Sequence, residues 1–241
     1  MHISSIVIAV CLITAVLEAQ TPTSAQPPGA QTPPAAQAPA AGQPAFTDVY
    51  LVQFAKALPG QAATLEKTLK TPDPKNPMAS HYLLLRHQEG ADWDYFLIQH
   101  LGPRATVEIT APPPTPAGAP PVGAWHEDTY VGGPSWAEFQ KTMDFAGSGN
   151  SVYVVSIHRP APGHRTELQE LLGRSDSTSK VAGNALLVHL QGGAWTFLSI
   201  SRYNSWQDLG ADRAAAAGGK GWLETREHSA FHVDTIADRV R

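Results

Sequence analysis

Three blocks of this chain occur twice, in the same order and about 100 residues apart. The first pairs VYLVQFAKALPGQAATLEKTL (49–69) with VYVVSIHRPAPGHRTELQELL (152–172) without a gap. Val49-Tyr50 falls on Val152-Tyr153, Pro59-Gly60 on Pro162-Gly163, and Leu65 and Leu69 on Leu168 and Leu172. The second pairs LLRHQEGADWDYFLI (84–98) with LLVHLQGGAWTFLSI (186–200), which sets His87 on His189 and Trp93 on Trp195. The third pairs AWHEDT (124–129) with AFHVDT (230–235). An ordered series of this kind is the mark of one structural unit built twice.

Periodicity gives each copy its elements. Residues 49–54 and 152–157 are β-branched and aromatic runs, hence strands. Pro-Gly then breaks each strand. Ala62, Leu65 and Leu69, and likewise Leu168, Leu171 and Leu172, recur on one face of a helix. Residues 81–87 and 185–190 are second strands. Gly90 and Gly192-Gly193 turn them into third strands at 93–98 and 195–200, which makes a hairpin. In copy two, 205–217 is a helix ended by Gly218-Gly219, and AFHVDTIADRV is the last strand. The order is βαββαβ, the split unit of ferredoxin-like folds. Copy one is Pro-rich over 102–122 where its second helix belongs, with only 104–109 able to form a short turn of helix. A further helix at 135–145 links the copies.

A strand, a Pro-Gly, an amphipathic helix, a hairpin and a closing strand together resemble the dimeric α/β-barrel superfamily. Antibiotic-biosynthesis-monooxygenase-like, EthD-like and NIPSNAP-like domains belong to it. The resemblance implies an α+β fold in which two tandem ferredoxin-like units, covering 47–241, pack as an intramolecular barrel. The last strand of each unit would approach the second strand of the other. The implied boundaries are a first unit at 47–132 with a Pro-rich insert at 111–122, a linker helix at 133–149 and a second unit at 150–241.

Residues 6–17 (IVIAVCLITAVL) are apolar without a break and are followed by Glu18, Ala19 and Gln20. That run is short for a bilayer span and fits a secretory signal over 1–19, cleaved after Ala19. The alternative is a retained membrane anchor, since no Lys or Arg precedes the run. Cleavage would remove Cys11, the one cysteine, and with it any disulfide or thiol chemistry. An exported chain, periplasmic or extracellular, is the expectation. Residues 20–46, rich in Pro, Ala and Gln and uncharged up to Ala45, read as a disordered tether. With 17 Lys and Arg against 21 Asp and Glu and no basic stripe, nucleic-acid binding is excluded.

No nucleophile elbow, Walker loop, dinucleotide fingerprint or zinc-protease helix occurs, and the SDST run at 175–178 has no base beside it. The chemistry-bearing pattern is His-x-Asp. His126 with Asp128, and His232 with Asp234, lie two apart on the last strand of each copy, so imidazole and carboxylate share a face. A carboxylate beside a histidine orients a general base or a metal ligand, which makes these four the candidate catalytic residues. His87 and His189, on the faces of Leu85 and Leu187, and Trp93 and Trp195 are the candidate ligand-binding residues. The expected arrangement is two pseudo-equivalent sites, His87 with His232 and Asp234, and His189 with His126 and Asp128. Two histidines and a carboxylate also suit Zn or Fe. The same repetition has an architectural reading, in which the pairs and the tryptophans simply stabilise a duplicated fold. Tyr50 and Tyr153 read as core, while His100, His158 and Arg202 sit on predicted strands.

Two function classes follow. One is a binding or accessory module that holds a small, largely apolar molecule between the sheets, with no cofactor. The other is an oxygenase-like enzyme, cofactor-independent or assisted by a metal or by haem, using the His–Asp pairs. Haem comes from the resemblance alone, with His189 or His232 as its candidate ligand. The orientation of the His–Asp pairs discriminates: pointing into a cavity favours the enzyme, pairing with Arg or Lys across the unit interface favours the module.

Overall fold

Residues 46–71, 78, 80–109, 121–147, 150–174, 179–217, 219 and 221–240 are described by a computed structural model. The expected signal, nearly all of the tether, most of the Pro-rich insert and the SDST run lie outside these residues. The first half comprises β1 (Asp48–Ala57), α1 (Ala62–Leu69), β2 (Tyr82–Glu89), β3 (Tyr95–Pro103) and β4 (Gly123–Gly133). A connecting helix, α2 (Trp136–Thr142), follows. The second half comprises β5 (Val152–Pro160), α3 (Arg165–Gly173), β6 (Gly183–Gln191), β7 (Phe197–Tyr203), α4 (Trp206–Ala216), α5 (Gly221–His228) and β8 (Ser229–Arg239). Among the described residues no helix is long and apolar enough to cross a membrane.

Helix α5 corrects the expected order of copy two to βαββααβ. It was hidden in the sequence because eight residues show little apolar period and no breaker separates His228 from Ser229. Trp93 and Trp195 also fall just before β3 and β7 rather than on them. The Trp93 amide donates to the Ala91 carbonyl at 3.0 Å, a tight turn that delays the strand.

The eight strands form one antiparallel sheet that closes on itself in the order β1-β3-β2-β8-β5-β7-β6-β4. Each half supplies four adjacent strands in the same internal order, β4-β1-β3-β2 and β8-β5-β7-β6. Two seams join them, β2 to β8 and β4 to β6, so the last strand of each half does meet the second strand of the other. The seams are locked alike. Thr235 Oγ1 accepts from the Ala91 amide at 3.1 Å, and Thr129 Oγ1 accepts from the Gly193 amide at 3.0 Å. Beside these contacts, Gly90 and Gly192 adopt φ of 127° and 120°, and a Cβ on either would press into the carbonyl of Asp234 or Asp128. The retained Gly and Thr of the repeat are therefore explained by closure.

Alternation along the strands puts one apolar row inside the ring. Tyr50, Val52 and Phe54, Leu83 and Leu85, Phe96 and Ile98 meet Tyr153 and Val155, Ala185 and Leu187, Leu198 and Ile200 there. Both tyrosines are buried, and each phenol donates to a backbone carbonyl, Tyr50 to Pro134 and Tyr153 to Met143. Helix α2, capped by the Ser135 hydroxyl, seals one end of the ring with Trp136 and Phe139. The opposite end is a mouth.

Candidate functional site

The seam registers decide which predicted partners can meet. His87 stands opposite Ala237 on β8 and His189 opposite Val131 on β4, five residues from His232 and His126 respectively. His87 and His189 follow the inward row, while His126, Asp128, His232 and Asp234 follow the outward one. The structure therefore does not bring together the two expected sets. His87 and His189 instead meet the edges of Trp93 and Trp195, with ring centroids 5.5 and 5.8 Å apart. Both histidines keep a buried Nε2 without a hydrogen-bond partner. Among the described residues no three His, Cys, Asp or Glu side chains gather around a point that could hold an ion.

On the outer face of the second half the picture is different. A cavity of about 660 Å³ opens between the sheet and helices α4 and α5. Strand β5 presents Ser156 and His158, β7 presents Ser199, Ser201 and Tyr203, and β8 presents His232 and Asp234, while Arg213 and Arg226 come from the helices. All of these strand positions are two apart, so one face of three neighbouring strands builds the floor. His158 and His232 lie opposite each other in register and stack nearly parallel, 7° apart with centroids at 5.9 Å. His158 Nε2 is hydrogen-bonded with Ser199 Oγ at 3.2 Å, and each imidazole retains a buried Nδ1 without a partner. Asp234 accepts from Ser156 Oγ at 2.8 Å and pairs with Arg213 at 3.4 Å. Burial pushes the His158 pKa down to about 4, against a smaller raising effect of Asp234. His158 is therefore a neutral imidazole near pH 7, able to hydrogen-bond a ligand without charge.

Among the described residues, the matching face of the first half does not repeat this polar floor. His126 is 62% exposed and lies 3.7 Å from Asp128, which accepts from Gln53 at 2.8 Å. Ala55 stands where His158 stands in the second half, and it joins Ala57, Leu65, Leu84 and Tyr95 in an apolar cluster beneath α1. The orientation test set by the sequence thus divides: His232 and Asp234 line a cavity, whereas His126 is exposed and the half-buried Asp128 is held by Gln53. Asp234 does pair with an arginine, but one from its own half.

Sequence reasoning placed His158 on a strand without assigning it a site, and it missed Ser156, Ser199, Ser201 and Arg213. The i, i+2 spacing of polar residues on β5 and β7 was the available signal. It also missed a buried chain at the sealed end. There His100 Nε2 meets Asp48 Oδ2 at 2.8 Å, His81 and His100 share an Nδ1–Nδ1 contact of 3.2 Å, and Asp48 accepts the Trp136 amide at 3.0 Å. Burial lowers the His100 pKa in spite of Asp48. Because the carboxylate holds the start of α2, this group reads as architectural.

For haem, His189 packs edge-on against Trp195. The cavity beside His232 mixes serines, Tyr203, Asp212, Asp234 and two guanidinium groups with Val154, Leu172, Ala216 and Ala217, so the many polar groups on its walls suit a porphyrin poorly.

The fold is that of an α+β protein whose antiparallel sheet closes into a ring, in keeping with the α/β-barrel resemblance. Among solved structures it is similar to a crystal structure described as an anthrone oxidase-like protein, with a TM-score of 0.53 and 13% identity over 82% of this chain and 92% of that one. No family model matches the sequence. No curated protein matches it either.

Proposed function

We propose that this chain is a small-molecule-binding barrel whose site is the second-half outer cavity, and that its ligand is a small organic molecule bearing hydroxyl or carbonyl oxygens. The carrying observation is the neutral His158 stacked on His232, beside three serines and Asp234, on the floor of that cavity. Hydroxyls and uncharged imidazoles donate to and accept from oxygen without demanding a counter-charge. The repeat and the matching strand order support tandem ferredoxin-like units at 47–132 and 150–241, joined by 133–149. The apolar run at 6–17 supports export, to the periplasm or the cell exterior.

Calorimetric titration of the full chain with 1,8-dihydroxyanthrone, a probe suggested by the similar structure, tests the site. His158→Ala and His232→Ala should each weaken binding at least tenfold, and His126→Ala should leave it unchanged. Equal loss from all three, or from none, would sink the proposal.

The second reading, an oxygenase-like enzyme, draws on the description of the similar structure and on His232 and Asp234 lining the cavity. It would oxidise the anthrone CH2 to a ketone, one O2 supplying the ketone oxygen and one water. It stands second because burial makes His158 a poor proton acceptor near neutral pH. Protein-dependent oxygen uptake with stoichiometric anthraquinone would raise it to first place; binding without uptake leaves it behind.

A further inference from the structure

The open end of the ring holds a second cavity, of about 400 Å³, separate from the outer one. Indole and phenyl groups dominate its walls: Trp93, Trp125 and Trp195, with Phe54 and Phe231. Trp125 and Phe231 occupy the same position of the repeat and stay 40% and 37% exposed, two large aromatic groups left in water at the rim. The repeat is broken in charge. Glu127 and Asp92 line the first-half side, whereas their counterparts on the second-half side are Val233 and Ala194.

The two other charged groups of the lining are already engaged. Asp92 is paired with Lys56, and Arg159 lies over the Phe231 ring at 5.4 Å. Glu127 is half-buried and accepts from Trp195 Nε1 at 3.0 Å, but among the described residues no basic side chain pairs with it. A carboxylate drawn partly out of water and held against an indole gains most from a cation. Aromatic faces around it attract the same charge through their quadrupoles. The wall of Val155, Ile157, Val233 and Ala194 offers the rest of the ligand an apolar seat.

From this we infer that the mouth binds an organic cation: an ammonium head between Glu127 and the tryptophans, and an apolar body on the second-half wall.

Benzyltrimethylammonium and its uncharged carbon isostere neopentylbenzene are suitable probes, followed by tryptophan fluorescence and calorimetry on the full chain. The cation should bind at least tenfold more tightly than the isostere. Glu127→Gln keeps an acceptor for the Trp195 indole, so it should fold normally and abolish that preference. His158→Ala should leave the preference intact, which separates this site from the outer one. Equal binding of the two probes, absence of binding by both, or a preference that survives Glu127→Gln would each overturn the inference. The comparison of the two probes on the unaltered chain stands whatever the variant's stability.

Discussion

Along the inner wall, Tyr50 and Tyr153, Leu85 and Leu187, Ile98 and Ile200, and the locking residues Thr129 and Thr235 occupy matching places and do matching work. Along the outer wall, Ala55, Leu97 and Leu101 of the first half stand where the second half has His158, Ser199 and Tyr203. Closing the ring requires the inside and the seams to agree between halves, since each locks onto the other. The outside answers only to whatever covers it. The retained inner and seam residues of this duplicated chain therefore serve closure, while divergence between the copies adds His158, Ser199 and Tyr203 to the outer cavity beside the retained His232 and Asp234.

The largest test of that comparison lies in the shared part. Gly90→Ala and Gly192→Ala each force a Cβ into a carbonyl at positive φ, and each should cost about 3 kcal/mol or more. Chemical denaturation should give similar values for both; a clear inequality would break the equivalence of the seams.

A nearly equal effect separates the halves. The His158 pKa falls from 6.5 in the unfolded chain to about 4 when folded. Its depressed value means that the unfolded chain takes up the proton first. Stability is thus full above about pH 6.5, declines by about 3 kcal/mol as pH falls to about 4, and levels off below. His100 adds to the decline in the same direction. His158→Leu should flatten much of the slope in denaturation curves taken across that range. A slope left unchanged would place the titration on a group other than His158.

Thr129→Val and Thr235→Val should each lose about 1 kcal/mol, one hydrogen bond at each seam, and the double variant their sum. Smallest is Arg86→Ala, which removes the exposed pair with Asp238 across the β2–β8 seam. It should cost no more than about 0.5 kcal/mol, in low salt only. The other seam has Val188 and Gly132 at the matching positions and no such salt dependence is expected there.

The repeat made the strands, hairpins and inner rows legible, because β-branched runs and Pro-Gly breaks are local signals. The seam pairing was also legible through the resemblance. What escaped was set by register and cover. Spacing alone puts His232 and Asp234 on one face, but whether that face is inner or outer depends on partners some 80 residues away, such as Ser156. AWHEDT and AFHVDT look alike, yet His232 and Asp234 line a cavity beside helices α4 and α5 while His126 is exposed. Over His232 and Asp234 the cover is the pair of helices, α4 and α5, that precede β8. Likewise Asp48, His81 and His100 converge from separate strands and loops, a grouping no local pattern announces.

The closed order of the strands also has a consequence for synthesis. Strand β8 ends at Arg239 and must join β2, more than 140 residues earlier, before the ring is complete. Until β6 has been made β4 is a bare edge, and until β8 has been made β2 is one, each offering a row of unpaired amides and carbonyls to any neighbouring strand. The chain is thus most exposed to misassociation while its first half is finished and waiting. A stop codon a few residues before β8 would leave that vulnerable interval permanent rather than brief.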